Sequence, residues 1–158
     1  MNDTKIILPP KKFQHNITER KEQHIHEIQI VNDLYLDNTS LNDTSTCIYK
    51  LIHNKIKSYI QQDIKKERFE NDKIVTLPYV IEKLVESQLR CCYCKSKICI
   101  QFTETRQMDQ WTLDRINNCI GHNISNVLIS CLKCNLQRRR IKKDHFLFTK
   151  QLSITKLE

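Results

Sequence analysis

The sequence predicts a small α+β protein, in which a C-terminal domain with two short strands follows a helical segment. Three observations lead to this prediction. Apolar residues recur at helical spacing after residue 47, two short runs rich in β-branched and large apolar residues begin near residues 111 and 127, and two pairs of cysteines bracket those runs. A length of 158 residues fits one compact domain with an appended segment.

The first segment, residues 1–45, is polar and shows no sustained hydrophobic period. We therefore expect an extended or poorly ordered, flexible arm. It contains His15, His24 and His26, which we expect to face solvent.

Residues 46–73 form an amphipathic helical segment in the prediction. Its apolar residues recur at helical spacing and leave the lysines on the other face: Ile48, Leu51, Ile52, Ile56, Tyr59, Ile60 and Ile64. The pattern predicts a helix of roughly five turns that ends near residues 70–72.

Residues 74–158 make up the predicted C-terminal domain. A helix follows Thr76, with Pro78 tolerated in its first turn, and leads into the first cysteine pair. Residues 111–116 and 127–130 are predicted strands, and the loop between them holds Gly121, the one glycine of the chain. A third helix is expected from Cys134 through Arg140. Asp144 is expected to cap a last helix that buries Phe146, Leu147 and Phe148.

The two cysteine pairs are the most specific chemical pattern in the chain. Cys91 and Cys94, like Cys131 and Cys134, are separated by two residues, so that each pair can direct two thiolates at one ion. Four thiolates make a closed tetrahedral zinc site, which stabilises a fold and leaves no position for water. The alternative is a disulfide or a pair that merely packs.

The remaining cysteines need an interpretation of their own. Cys92 and Cys99 are alternative ligands beside the first pair. Cys92 is disfavoured because it is adjacent to Cys91 and would distort the turn, and Cys99 because it lies outside the two-residue spacing. We interpret Cys47, Cys99 and Cys119 as buried thiols.

Cysteine usage and hydropathy indicate an intracellular, reducing compartment such as the cytoplasm or nucleus. The N-terminal MNDTKIILPP lacks the basic, apolar and small-residue order of a signal peptide. No apolar run approaches the about 20 residues that cross a bilayer, so no membrane partner is expected. In a reducing compartment, paired cysteines usually indicate metal.

The net charge of +8 favours a polyanionic partner. Each phosphate that a protein neutralises releases condensed counterions. Charge alone leaves simple solubility as an equal alternative.

The order CCYC, WTLDRINN and GHNISNVLISCLKCN, followed by a basic helix, resembles the HNH (His-Me finger, ββα-metal) endonucleases. It is most similar to their zinc-stabilised subgroup, in which two CxxC pairs bracket a ββα unit with a treble-clef-like arrangement. The resemblance covers roughly residues 74–143.

The resemblance implies roles for three residues. Asp114 matches the acidic metal ligand, Asn135 the second metal ligand and Asn126 the residue that braces the loop between the strands. One Mg²⁺ or Mn²⁺ ion on Asp114 and Asn135 would then contact the scissile phosphate. Without the resemblance, Asp114 could pair with Arg115 and Asn135 could cap the helix.

Arg115 departs from the family pattern, which places a general-base histidine there. Arginine stays protonated and is a poor base, although it can clamp a phosphate. His122 is the nearest replacement base in the sequence, and the alternative is a solvated loop histidine.

A cluster of basic residues follows the second cysteine pair: Arg138, Arg139, Arg140, Lys142 and Lys143. Such a run usually forms a solvated face. In the family it resembles, this helix lies against the backbone of double-stranded DNA, where phosphate contacts position the duplex. The helices before the first cysteine pair then either support the fold of the C-terminal domain or contribute to DNA sequence specificity.

The resulting hypothesis is a metal-dependent DNA endonuclease of HNH type with a structural zinc, encoded by a virus or mobile element. The alternative is a catalytically impaired HNH-fold zinc protein that binds DNA without cutting it. A protein-interaction zinc module is a third possibility. Target and oligomeric state stay open.

Overall fold

The fold is α+β, and a computed structural model of the chain describes residues 17–37 and 43–152. Within these residues there are five helices and one two-stranded sheet. The elements are α1 (Ile17–Tyr35), α2 (Asp43–Lys65), α3 (Leu77–Ser87), β1 (Trp111–Arg115), β2 (Val127–Cys131), α4 (Leu132–Arg138) and α5 (Lys143–Gln151).

The sheet consists of β1 and β2, which run antiparallel and confirm the two predicted strands. Trp111 pairs with Cys131 at one end of the ladder and Arg115 pairs with Val127 at the other. Because of this register, the second cysteine pair lies at one end of the hairpin. The loop with Gly121 lies at the other end.

Helix α3 agrees with its prediction at both ends. Thr76 is the N-cap, and its side chain accepts a hydrogen bond of 3.5 Å from the Tyr79 amide. Pro78 lies in the first turn, where no intrahelical donor is lost. Gln88 adopts a left-handed conformation with φ of 49° and ends the helix.

Helix α1 shows that the prediction of an extended arm is wrong for Ile17–Tyr35. The helix packs through Val31 and through buried polar groups that a hydrophobic pattern does not reveal. Glu27 is fully buried and accepts hydrogen bonds from the amides of Ile100 and Gln101, at 2.8 and 3.0 Å. Of the rest of the predicted arm, residues 36–37 form a turn and residues 43–45 belong to α2, whereas residues 1–16 and 38–42 lie outside the described residues.

The histidines of α1 differ in their surroundings. His24 is buried, and its Nδ1 lies 3.3 Å from the carbonyl oxygen of Ile98, so its predicted exposure is wrong. His26 is exposed as expected. His15 lies outside the described residues.

Helix α2 begins at Asp43, before the predicted start, and ends at Lys65, before the predicted end. Its buried stripe continues from Ile56 and Tyr59 to Asp63, which is 1% exposed, whereas Ile64 is 47% exposed. The prediction that Ile64 is buried is therefore wrong. A polar side chain takes that place on the stripe because it has partners in the C-terminal half.

Two hydrogen-bonding groups fasten α2 to β1. The Tyr59 hydroxyl accepts a bond of 3.2 Å from the Leu113 amide. Lys55 Nζ donates to Gln110 Oε1 at 2.9 Å and to the carbonyl oxygen of Trp111. Burial lowers the pKa of Lys55 to about 8. Helix α2 is thus part of the frame that positions the hairpin.

The last two helices differ from the prediction in detail. Helix α4 begins at Leu132 and ends at Arg138, short of the predicted end. Lys142, and not Asp144, is the N-cap of α5. Phe146 is buried and its ring meets that of Tyr93 edge-on at 5.0 Å, but Phe148 is 66% exposed and its predicted burial is wrong.

Within the described part of the chain, no helix combines the length and the apolar character that crossing a membrane requires.

Candidate functional site

Four cysteine sulfurs form a cluster at one end of the hairpin, which we call the cysteine cage: Cys91, Cys94, Cys131 and Cys134. All four sulfur atoms lie within 4.8 Å of one another, and Cys94 Sγ lies 3.9 Å from Cys131 Sγ. Tetrahedral zinc with Zn–S bonds of about 2.3 Å places its sulfurs about 3.8 Å apart. The donor set therefore fits one zinc ion.

The first cysteine pair lies in a tight turn that backbone hydrogen bonds close. Cys91 accepts from the Lys95 amide and donates to the carbonyl oxygen of Ser96, both at 3.0 Å. Lys95 has a positive φ of 60°, which reverses the chain. The Cys92 amide donates to the carbonyl oxygen of Ile129 at 3.0 Å and so fixes this turn to β2.

The second pair is built by the junction of β2 and α4. Cys131 ends the strand and is the N-cap of the helix, where its sulfur accepts a 3.4 Å hydrogen bond from the Cys134 amide. A hydrogen bond from Cys131 holds the pKa of the Cys91 thiol well below its ordinary value. The same hydrogen bond, together with burial, raises the pKa of the Cys131 thiol. Because thiolate is the form that binds metal, zinc binding must release the remaining protons of the cage.

The other cysteines lie outside the cage. Cys92 and Cys99 are partly buried, and neither belongs to the cluster. Cys47 and Cys119 are exposed, so their predicted burial is wrong.

A polar cavity of about 430 Å³ opens where α2, β1, the inter-strand loop and α4 meet, and we call it the basic pocket. Asp114, His122 and Asn135 line it. Its cationic lining consists of Lys66, Arg68, Arg115, Arg139 and Arg140. The pocket therefore brings together four of the five residues that the sequence predicts as catalytic, all except Asn126.

His122 is buried in this pocket and is held by α2, so the solvated-loop alternative is wrong. Its Nδ1 lies 2.9 Å from Asp63 Oδ2, and its amide donates to the same oxygen at 2.6 Å. Its ring lies 4.5 Å from that of Tyr59, centroid to centroid. Its carbonyl oxygen accepts from the Val75 amide at 3.0 Å. Among the described residues, the ring is hydrogen-bonded through Nδ1 and not through Nε2.

The charge of His122 follows from its surroundings. Burial lowers its pKa below 6.5, and the hydrogen bond and charge of Asp63 oppose that shift without cancelling it. Arg115 and Lys66 lower it further. The neutral form of the imidazole, which can accept a proton, is therefore favoured.

Gly121 makes the close approach of α2 to His122 possible. A Cβ atom at this position would lie 2.5 Å from the carbonyl oxygen of Arg68 and 2.9 Å from Asp63 Oδ2. The single glycine of the chain thus serves as a packing site for the end of α2.

Arg115 lies between Asp63 and the inter-strand loop, and it is 14% exposed. Its Nη1 lies 3.8 Å from Asp63 Oδ1 and donates to the carbonyl oxygen of Ile120 at 3.3 Å. Burial and the charge of Arg68 lower its pKa from the ordinary arginine value. It remains a cation at the wall of the pocket.

Asp114 pairs with Arg138 and not with Arg115. Arg138 Nε and Nη2 donate to its two carboxylate oxygens at 2.6 and 2.9 Å, and the Tyr93 hydroxyl donates at 2.6 Å. Mg²⁺ or Mn²⁺ on this carboxylate would stand beside a fixed guanidinium. The residues therefore do not fit the divalent ion expected on Asp114 and Asn135.

The two asparagines are placed differently. Asn126 Nδ2 donates to the carbonyl oxygens of Asn117 and Gly121, at 3.1 and 2.8 Å, and its Oδ1 accepts from the Asn117 amide at 2.9 Å. These bonds close the loop between the strands. Asn135 lies inside α4, where its Nδ2 donates to Thr112 Oγ1 at 3.1 Å. Cys131 caps that helix instead.

The predicted basic cluster divides into three groups. Arg138 is 1% exposed, and its contact with Asp114 leaves it unavailable to DNA, so that prediction is wrong for this residue. Arg139 and Arg140 are exposed and line the basic pocket. Lys142 and Lys143 lie at the start of α5, where Lys143 Nζ is 3.6 Å from Asp144.

Comparison with protein families, with curated proteins and with solved structures found no match for this chain.

Several residues at the basic pocket belong to no sequence motif and were not predicted as site residues. Asp63, Lys66 and Arg68 belong to the end of α2 and the turn after it, more than 50 residues before His122. The one available signal was the spacing from Ile56 through Tyr59 to Asp63, which extends the buried stripe of α2.

Proposed function

We propose that the protein is a DNA endonuclease of HNH type, which hydrolyses phosphodiester bonds in the basic pocket. The observation that carries the proposal is the buried His122, whose Nδ1 lies 2.9 Å from Asp63 Oδ2 in a cavity with five cationic side chains. The order of cysteine turn, hairpin and short helix supports the resemblance to a zinc-stabilised ββα unit.

His122 is the general base in this proposal. Its Nδ1 is engaged by Asp63, which orients the ring and supports the positive charge that forms when Nε2 takes a proton. A water oxygen forms the new bond to phosphorus and gives its proton to Nε2. The bond from phosphorus to the leaving oxygen breaks, and that oxygen takes a proton from solvent.

The arginines of the pocket hold the phosphate and stabilise its developing charge. Arg115, Arg139 and Arg140 present guanidinium groups, which match two phosphate oxygens at once. Arg115 thus contributes charge at the position where the HNH pattern has a base. Lys142 and Lys143 extend the positive surface along the start of α5.

Double-stranded DNA is the proposed substrate, because two exposed cations of the pocket, Arg139 and Arg140, are followed directly along the chain by the lysines at the start of α5. Phosphate contacts of this kind position a duplex without reading its sequence.

A plasmid cleavage assay tests the function. Zinc-loaded protein should nick or linearise supercoiled plasmid, and His122→Ala should lower the rate by about 100- to 10,000-fold, the usual contribution of a positioned base. His145→Ala changes an exposed histidine outside the pocket and should cleave like wild type. Equal cleavage by wild type and His122→Ala would refute the role of His122.

A second candidate function is DNA binding without cleavage. The neutralisation of Asp114 by Arg138, together with arginine at position 115, favours this alternative. Salt-sensitive plasmid binding without any nicking would select it.

A further inference from the structure

Arg138 is the most completely fixed cation of the molecule's C-terminal half. All three of its guanidinium nitrogens have partners: Nε and Nη2 bind Asp114, and Nη1 donates to the carbonyl oxygen of Ile141 at 2.8 Å. Nη2 also contacts the carbonyl oxygen of Arg115 and, at 3.3 Å, Asn118 Oδ1. A side chain that is 1% exposed and held on every nitrogen is part of the fold.

The charge of this group is secure. Burial lowers the pKa of Arg138, but the hydrogen bonds and negative charge of Asp114 outweigh that effect, and its pKa is raised overall. The Tyr93 hydroxyl completes the shell of Asp114 at 2.6 Å. Burial, followed by the bond to Asp114, raises the pKa of Tyr93, so it stays a neutral donor.

A divalent cation and this arrangement compete for the same carboxylate. Mg²⁺ and Mn²⁺ need oxygen lone pairs at close range and keep most of their remaining sites for water and phosphate. Arg138 already donates to both oxygens of Asp114, and its positive charge repels a second cation. Asn135, the other expected ligand, supplies no charge to compensate.

The rest of the pocket is suited to bind an anion directly. Its five cationic residues face one carboxylate, Asp114, which Arg138 neutralises. The nearby Asp63 is engaged by His122 and lies 3.8 Å from Arg115. A phosphate in this pocket meets a surplus of guanidinium groups without any bound metal.

We propose that the basic pocket binds and cleaves phosphodiesters without a divalent cation, because the Arg138 guanidinium stands on Asp114 where an HNH site would hold its ion. This inference rests on the proposed function for its cleavage half. Its metal-binding half stands on the geometry of Asp114 and Arg138 alone.

Binding of Mn²⁺, followed by the electron paramagnetic resonance signal of the free ion, tests the metal-binding half. Zinc-loaded wild type and the control Arg106→Gln, which removes an exposed arginine, should show no saturable site. Arg138→Gln should gain a site that Asp114→Asn removes again in the double variant. Saturable binding by wild type that Asp114→Asn abolishes would overturn the inference, as would a folded Arg138→Gln that gains no site.

Arg138→Gln removes a buried ion pair, and its melting temperature must therefore be measured first. If this variant does not fold, wild type and Asp114→Asn still decide the question. Neither should bind Mn²⁺ saturably, and a site in wild type alone overturns the inference.

Plasmid cleavage in metal-depleted buffer tests the other half, with zinc verified at one ion per chain. The rate should be the same with and without added Mg²⁺ or Mn²⁺. Cleavage that appears only with added ion overturns the inference and leaves the endonuclease proposal intact. Absence of cleavage under both conditions overturns the endonuclease proposal itself and, with it, the cleavage half of the inference.

Discussion

The two ends of the β1–β2 hairpin differ in how they expose their polar groups: one is a closed, mostly buried cluster of cysteines and the other an open, charged cavity. At one end, the cysteine cage gathers four sulfurs within 4.8 Å in a mostly buried cluster. At the other end, the basic pocket is a cavity of about 430 Å³ whose charged groups reach solvent. A closed cluster of thiolates holds structure, whereas an open, charged cavity can exchange ligands.

The two ends also depend on different contacts. The cage is formed by short turns and a helix N-terminus, so its geometry is largely local. The pocket requires the end of α2 to pack against the loop at Gly121. Tyr93, which lies between the first two cage cysteines, donates to Asp114 at 2.6 Å and connects the two ends.

The largest expected effect is at the cage. Cys131→Ser removes one thiolate ligand while keeping a side chain that can cap α4, and it should abolish zinc binding together with cooperative unfolding of the hairpin. Structural zinc sites supply about 10–16 kcal/mol of apparent binding free energy in small peptides. Zinc content and circular dichroism check this result, with the exposed Cys119→Ser as control. A folded Cys131→Ser protein without zinc would show that the cage is dispensable.

The next effect is at the pocket. The acid limb of the pH–rate profile should lie below pH 6.5, because burial lowers the pKa of His122 and only the neutral ring accepts a proton. Asp63→Asn removes the interactions that raise this pKa. The limb should then move to lower pH, and kcat/KM should fall by about 100-fold.

A structural role of Asp63 alone would lower kcat/KM without moving the acid limb. The conservative Asp63→Glu variant should restore part of the rate and return the limb toward the wild-type position. A limb above pH 6.5 in wild type would contradict the assignment of His122 as the base.

The packing of α2 on the loop should have a smaller effect. Gly121→Ala places a Cβ against the carbonyl oxygen of Arg68 and the Asp63 carboxylate, at 2.5 and 2.9 Å. Urea denaturation should show a loss of about 1–3 kcal/mol in the free energy of unfolding, as for other overpacked sites. Ser58→Ala, on the exposed face of α2, is the control and should stay within about 0.5 kcal/mol. Unchanged stability of Gly121→Ala would mean that α2 and the loop are not in contact.

The smallest effect is on DNA affinity. The slope of log Kobs against log salt is negative, and Arg139→Gln should make it less steep by about 0.9, the value for one lost phosphate contact. Arg106→Gln, which lies outside the pocket, should leave the slope unchanged. Equal slopes for all three proteins would exclude Arg139 from the DNA interface.

The contrast between the ends explains what the sequence could predict. The cage could be predicted because two cysteines separated by two residues indicate a turn that brings their thiols together. The hairpin and α3 could be predicted from local patterns, which for α3 include the Thr76 cap and Pro78. In each case the pattern that predicts the element lies within a few residues along the chain.

The pocket was less predictable because its partners are distant in sequence. Asp63 lies 59 residues before His122, and no local rule joins them. Arg138 was expected at the DNA surface because a basic run usually faces solvent. It is buried instead, because it forms an ion pair with Asp114 of β1. Helix α1 was missed because it docks through Glu27 and His24 rather than through a purely apolar stripe.

Chemical rescue of a folded His122→Gly protein in the plasmid assay tests the role of His122 most directly. The variant should bind DNA but cleave it slowly, and added imidazole should restore cleavage in proportion to its neutral fraction. The His145→Gly control should cleave like wild type and should not respond to imidazole. A DNA-binding His122→Gly protein that imidazole fails to rescue would contradict the claim that His122 takes the proton.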